Sequence, residues 1–337
     1  MTADEKICVI IAAKNARETI GRAVGSALAE PEVAEVIVVD DGSEDRTAAA
    51  AAAADDGSGR LDIICFRKNR GPSAARNHAI AISRAPLIAI LDADDFFFPG
   101  RFRQMLACEG WDFIADNIAF MEEADPARRP ACFAPRPQRL DLAAFIRGNI
   151  SRRGAPRGEL GFLKPVMRRA FLDAHGLRYR EEMRLGEDYE LYLRALLKGA
   201  RYTLIESCGY GAAVRPDSLS GRHGTRDLEA LGNAERTILA AGGVPADAEG
   251  LMRRHCRQID ARHALRHFLD RKRERGAGAA LAYAFENPLS VPAIAGGILR
   301  DKLEAAQRRV RPRRPAPAGT VRYLLPVAQA DAAGNGR

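Results

Sequence analysis

Pro86-Leu87-Ile88-Ala89-Ile90-Leu91-Asp92-Ala93-Asp94-Asp95 is an unbroken apolar run that stops abruptly in acid. Such a run, entered after a proline and bounded by polar residues, suits a strand buried on both faces of a parallel sheet. Three carboxylates crowded at the strand's end are costly to hold unless positive charge meets them. A divalent cation carrying a diphosphate answers that need, because hard cations take oxygen ligands.

The same design recurs upstream. Residues 7–12 form an apolar run ahead of Lys14 and Asn15, and Val36-Ile37-Val38-Val39 runs into Asp40-Asp41-Gly42-Ser43. Between them Ile20, Val24, Ala27 and Leu28 recur at helical spacing. Asp45 or Ser43 is placed to cap an Ala-rich helix reaching about Ala54, and residues 61–66 make a third strand. Gly71-Pro72-Ser73 opens the next helix, with proline in the first turn where a missing N–H does no harm. Strand alternating with helix at this spacing implies βαβ units, and such sheets bind ligands beyond the carboxyl ends of their strands. Asn15, Asp40, Asp41, Asp92 and Asp94 all fall at such ends, so the fold itself would gather them on one rim. No Gly-x-Gly-x-x-Gly follows the first strand and no Walker-type loop occurs, which sets dinucleotide and P-loop binding aside.

Further along, residues 111–118 predict a fifth strand, residues 122–138 a Pro- and charge-rich loop, and residues 140–147 a helix. The Gly/Arg-rich stretch 148–161 is expected to be a mobile substrate flap. Residues 162–166 resemble a short strand, followed by a helix from Met167 that ends at Gly176. In residues 185–199, Leu185, Tyr189, Tyr192, Leu193 and Leu196 mark the inward face of a helix whose first turn carries Glu187 and Asp188. Residues 202–205 and 209–214 predict two closing strands, and a polar loop with Arg215, Ser218 and Ser220 follows.

Apolar content of 47% and charged content of 28% are ordinary for a soluble globular chain. The net charge of +8 is uneven: residues 251–337 carry 18 Lys/Arg against 7 Asp/Glu, and the preceding residues 34 against 37. This basic, helical end suits an anionic surface such as a membrane leaflet. Nucleic acid is not expected, because aromatics are not interleaved with the basic residues as a stacking platform needs. Residues 289–299 are apolar but broken by Pro292, Gly296 and Gly297, and the Ala/Pro/Gly-rich end reads as disordered. The six scattered cysteines make no Cys-x-x-Cys pair, so zinc is not expected. Met1 is followed by a polar segment rather than an apolar leader, and no stretch is long enough to span a bilayer. A cytoplasmic location, peripheral at the inner face of the membrane, is the expectation.

Each candidate has a plainer rival. Asp92 and Asp94 could be turn residues, with Asp95 capping a helix beyond. Glu187 and Asp188 could merely favour the positive end of a helix. Asp40 could form only a turn, Arg76 could lie on a helix surface, and Arg215 and Ser218 could belong to an ordinary loop. His255, His263 and His267 are better read as a helix face than as a metal triplet.

Taken together, residues 9–15, Val38-Val39-Asp40-Asp41-Gly42-Ser43, Asn69-Arg70-Gly71 with Ala75-Arg76-Asn77, Leu91-Asp92-Ala93-Asp94-Asp95 and Gly186-Glu187-Asp188 resemble, in order and spacing, family 2 glycosyltransferases of the GT-A fold. The likeness covers roughly residues 5–220, and the basic helical end is most similar to succinoglycan-type exopolysaccharide glucosyltransferases. The resemblance implies a mixed, mostly parallel sheet flanked by helices, an inverting mechanism, a nucleotide-diphosphate sugar and a Mg²⁺ or Mn²⁺ ion. It implies nucleotide-sugar contacts from Ala12, Lys14, Asn15, Asp40, Asp41, Arg76, Asp92 and Ala93, with Asp40 and Asp41 on uracil and ribose. Asp94 corresponds to the metal ligand and Asp188 to the catalytic base, with Glu187, Asp95, Arg215 and Ser218 as further candidates. Where the family commonly has Pro-x-Tyr-Asn, this chain has Ala12-Ala13-Lys14-Asn15, so the stacking aromatic is replaced and Lys14 is left to cover the base or reach a phosphate.

The expected organisation is a GT-A domain over residues 1–222, a basic helical extension over 223–310 and a disordered tail over 311–337. The expected reaction moves glucose from UDP-glucose to a lipid-linked oligosaccharide. Transfer of galactose or N-acetylglucosamine to another glycan, or a non-catalytic module that binds a nucleotide sugar or glycan, are the alternatives.

Overall fold

The computed structural model describes residues 6–122, 136–151, 159–214, 224–310 and 321–325. The first half alternates as the sequence implies: β1 (Ile7–Ala13), α1 (Ile20–Leu28), β2 (Val33–Asp40), α2 (Thr47–Ala52), β3 (Leu61–Cys65), α3 (Pro72–Ile82) and β4 (Leu87–Ile90). After β5 (Phe96–Phe97) and α4 (Arg101–Leu106) come β6 (Phe113–Met121), β7 (Gln138–Arg139), α5 (Leu142–Asn149), β8 (Val166–Arg168) and α6 (Arg169–Ala174). Then follow α7 (Glu187–Leu197), β9 (Tyr202–Ala213), α8 (Thr225–Ala241), α9 (Ala246–Glu286), α10 (Val291–Val310) and β10 (Arg322–Tyr323).

One mixed sheet, in the order β3-β2-β1-β4-β8-β6-β9-β5, carries the molecule. Its long pairings, β1 with β2 and β4, β2 with β3, and β6 with β9, are parallel, while β8, β5, β7 and β10 add short antiparallel ones. Ile7, Val9, Ile10, Val36, Val38, Ile88 and Ala89 have no exposed surface, as strands covered by helices on both faces require.

Several elements differ from the sequence reading. The strand expected at 162–166 starts only at Val166, because Pro165 has no N–H to give a ladder, and Leu160–Phe162 instead forms a 3-10 turn. The two strands expected at 202–205 and 209–214 are a single β9, interrupted by a bulge where Ala115 pairs Leu204 but Asn117 pairs Cys208. Pro292 does not break residues 289–299; it falls in the first turn of α10, where no donor is missed. Within the tail expected to be disordered, Arg322 and Tyr323 pair with Phe120 and Ala119 of β6, and Leu324 is buried. The remainder of that tail, the loop at 123–135, the centre of the expected flap at 152–158, and Arg215, Ser218 and Ser220 lie outside the described residues.

The helical end is continuous with the main core, to which Leu231, Ala234 and Ile238 of α8 and Met252 and Ile259 of α9 all belong. One buried carboxylate ties it down. Glu235 has no exposed surface and accepts the Tyr189 hydroxyl of α7 at 2.5 Å, while His255 Nδ1 and Cys256 Sγ of α9 lie 2.6 and 2.9 Å from it. Glu235→Ala strands three buried polar groups, so it is expected to lower unfolding free energy by about 3 kcal/mol or more. Urea unfolding checks this; an unchanged midpoint would show the cluster to be dispensable.

Candidate active site

The rim begins at the tip of β2. The Asp41 N–H donates to the Ala13 carbonyl at 2.8 Å, which prolongs the β1–β2 ladder by one rung. Its carboxylate accepts the backbone N–H groups of Arg70 at 2.6 Å and Gly71 at 2.8 Å, and so draws the turn before α3 against the strand tip. Gly42 has φ +70°, and a Cβ there would lie 3.0 Å from the backbone of Lys68 and Asn69, so the turn has room only for glycine. Asp40 accepts from Ser43 N at 2.9 Å. Asn15, itself at φ 49°, donates its N–H to Ser43 Oγ at 2.8 Å and accepts from Glu44 N at 3.0 Å. Lys14 is exposed and turns its ammonium back onto the Gly42 carbonyl at 2.8 Å, with half-buried Ala12 behind it.

At the tip of β4 the acids meet two side-chain cations, where the sequence points to a divalent ion. Arg76, reaching from α3, is buried and not a surface residue of its helix. One of its nitrogens lies 2.9 Å from Asp92, and the other 2.9 Å from Glu187 and 3.5 Å from Asp188. The second cation is Lys164, also buried, with its ammonium 2.7 Å from Asp188 Oδ2 and 2.9 Å from Asp92 Oδ2. Burial alone would raise the Asp92 carboxyl, but Lys164 and then Arg76 outweigh it and hold it at about 2.

A second layer supports these groups. Arg101, completely enclosed, donates to the Lys164 carbonyl at 2.5 Å and pairs with Asp116 at 2.9 Å, with its guanidinium 4.7 Å from the Phe97 ring centre. Asp116 in turn accepts Gly209 N at 2.6 Å, which ties the β9 bulge to the same unit. Behind Arg76 lies the Tyr179 ring at 5.3 Å, and Asn77 bonds both the N–H and the carbonyl of Tyr179. That clamp leads the chain into α7. Gly186 caps α7 at φ +70°, and a Cβ there would press on Leu231 of α8 at 2.9 Å, so this helix start also requires glycine.

The structure therefore brings Arg76, Asp92, Glu187 and Asp188 together, and sets Asp40, Asp41, Asn15 and Lys14 along the neighbouring strand ends. Ala93 and Asp94 are half-buried at the β4 tip, where the Asp94 carbonyl accepts Arg22 at 2.7 Å. Asp95 faces elsewhere: its carboxylate accepts the Tyr210 hydroxyl at 2.7 Å and Ala213 N at 3.0 Å. Burial, then Asp92 and Asp94, push its carboxyl well above the usual range, so it serves as a buried tie to β9. No helix follows it directly for it to cap; α4 begins at Arg101. Lys164 was not foreseen, nor were Arg101 and Asp116. The signal for Lys164 was a lone cation inside the apolar run Phe162-Leu163-Lys164-Pro165-Val166, which buries charge only when partners wait for it.

A divalent ion fits the β4 tip in one form. Among the described residues no group of three or more His, Cys, Asp or Glu side chains could hold a metal by itself. An ion at this tip would be completed by diphosphate oxygens and water, the usual arrangement for Mg²⁺. Asp92, which already faces two cations, and half-buried Asp94 are the carboxylates that stand beside it.

A GT-A sheet whose strand-end acids face a basic pair defines a glycosyltransferase, and residues 8–108 match the family described as Glycosyl transferase family 2. The chain belongs to this family. It is 60% identical over 334 residues, 96% of each chain, to the succinoglycan biosynthesis protein ExoU of Rhizobium meliloti (strain 1021). It is also 38% identical over 121 residues to the Escherichia coli UDP-Glc:alpha-D-GlcNAc-diphosphoundecaprenol beta-1,3-glucosyltransferase WfaP, covering 35% of this chain and 42% of that one. Among solved structures, the mannosyltransferase PcManGT of Pyrobaculum calidifontis in complex with GDP-Man and Mn²⁺ shares the fold, with TM-score 0.53 and 17% identity over 91% of this chain and 81% of that one.

Proposed function

We propose that this glycosyltransferase moves glucose from UDP-glucose to a lipid-linked oligosaccharide in exopolysaccharide synthesis, with inversion at the anomeric carbon. In this reading residues 1–222 form the transferase domain and residues 223–310 an appended helical unit at the cytoplasmic membrane face. The likeness to ExoU supports the pathway, and the matched portion of WfaP supports UDP-glucose and a polyprenyl-diphosphate acceptor.

The observation that carries the chemistry is Lys164 standing between Asp92 and Asp188, within 2.9 Å of both. It joins the donor-side acid to the acceptor-side acid, so the two halves of a single displacement meet at one buried cation. Asp40 and Asp41 border the pocket for the nucleoside. Asp94 would hold Mg²⁺ or Mn²⁺, which neutralises charge building on the leaving diphosphate. Arg76 and Lys164, themselves buried, add fixed positive charge on the same side. Asp188 takes the acceptor hydroxyl's proton as the new bond forms; its Oδ1, 3.5 Å from Arg76, is the less engaged oxygen and the one available to accept.

The test is UDP release across a panel of UDP-sugars, with polyprenyl-diphosphate oligosaccharide present and with or without EDTA. UDP-glucose with Mn²⁺ or Mg²⁺ is expected to turn over fastest, and chelation to cost about 10²-fold or more. Faster turnover of another sugar would overturn the donor assignment, and indifference to EDTA would remove the metal.

A further inference from the structure

Resting on the lipid-borne acceptor proposed above, we infer that the corner formed by the end of α9 and the start of α10 inserts into an anionic lipid leaflet, with Phe285 and Leu289 leading. The helix α9 breaks at Gly276, where φ is 83° and ψ 176°. Beyond it the chain folds back, for the Tyr283 ring stacks on His267 with centroids 4.5 Å apart. A straight helix would separate those residues by about 24 Å. Ile294 of α10 joins Ala264 and Tyr283 in a small core of their own, backed by Phe268 and Ile298. Gly297 lets α10 approach so closely that a Cβ there would meet Leu265 at 2.4 Å.

This unit uses some of its apolar side chains to close on itself and leaves others in solvent. Phe285 is 84% exposed and Leu289 96%, and Leu281, Leu299 and Leu303 are each more than half exposed. Among the described residues, seven of the nine exposed large apolar side chains lie between 269 and 303. Single exposed leucines are normal; a concentration of them marks a contact surface. The charge pattern names the partner. From residue 276 to residue 299 the only charged side chain is Glu286. Arg271, Lys272, Arg273 and Arg275, with Glu274 among them, precede this span, and Arg300 and Lys302, with Asp301 between them, follow it, a net four positive charges over the two flanks. Apolar side chains flanked by Lys and Arg are the chemistry of an interfacial anchor on anionic lipid. A second copy of the chain would cover the apolar face but would bring two sets of these cations together. None of the described helices is long and apolar enough to cross a membrane, so the insertion is shallow and confined to one leaflet.

The experiment is flotation of the full chain on vesicles of phosphatidylglycerol and phosphatidylcholine in equal parts, and on phosphatidylcholine alone. The parent is expected to float with the anionic vesicles only. Phe285→Ser/Leu289→Ser, which touches neither core nor site, is expected to partition about 30-fold more weakly, with an unchanged melting temperature. A double variant that floats like the parent overturns the inference, as does a parent that ignores anionic vesicles. A parent that sediments as a dimer, and a double variant as a monomer, would assign the face to a second copy instead. UDP release is read on the same samples, so a failed donor assignment and a failed anchor give different results.

Discussion

Asp188→Asn is expected to lower kcat by about 10²- to 10⁴-fold, because the amide cannot take the acceptor's proton. The substitution keeps shape, and the Lys164 ammonium retains Asp92 at 2.9 Å, so the fold and the nucleotide site should survive. A thermal shift with UDP and Mn²⁺ should therefore match the parent's while UDP release collapses. Parental turnover in this variant would remove Asp188 from the role. Glu187→Gln would be the next variant, since Glu187 begins the same helix and shares Arg76 with Asp188.

Lys164→Met should do damage of two kinds. Its ammonium is buried between two carboxylates, and removing it leaves them facing each other with only Arg76 for compensation. The expected loss is about 3–5 kcal/mol of stability and about 10²-fold or more in kcat/KM. A pH measurement separates this electrostatic role from simple packing. The Asp92 carboxyl sits at about 2 in the folded chain, against an ordinary 3.8, with Lys164 the strongest influence opposing burial. A depressed carboxyl stabilises the fold fully above its ordinary value, and that stability drains as pH falls toward the folded value. The contribution is at most about 2 kcal/mol, reduced because the Asp92 side chain is 33% exposed. Without Lys164 the Asp92 carboxyl rises toward its ordinary value, so the variant's stability should fall less steeply than the parent's as pH drops from about 4 to about 2. An unchanged pH dependence of unfolding free energy over that range, with activity still lost, would make Lys164 a spacer only. Lys164→Arg restores the charge and should recover part of both effects.

Both predictions turn on one feature of the cluster. Arg76 and Lys164 each bridge the β4 tip and the start of α7, so Asp92 and Asp188 cannot move independently. Arg101 extends that rigidity, since it grips the Lys164 carbonyl while Asp116, its partner, holds the β9 bulge at Gly209. Glu235 reaches the same helix from the other side through Tyr189, the residue after Asp188. The C-terminal helices are thus part of what positions Asp188, the base in the proposed reaction, and cutting the chain near residue 250 would strip Met252 and Ile259 from the core along with any membrane contact.

Local patterning determined most of the parallel half. Apolar runs that end in acid specify buried strands, so Asp40, Asp41, Asp92 and Asp94 could be placed at strand ends from order and spacing, while Asp188 stood out only through the resemblance to the family's motif. Periodicity could not say that residues 202–213 are one bulged strand, that Pro292 opens a helix, or that Asp95 turns inward to Tyr210, because a partner strand or ring decides each of these. Nor could it pair Lys164 with Asp188 or Arg76 with Glu187, residues that share no repeat and meet only after the sheet has closed. Charge pairing in a buried site depends on distance in space, and a chain read one residue at a time carries no such distance; folding supplies it.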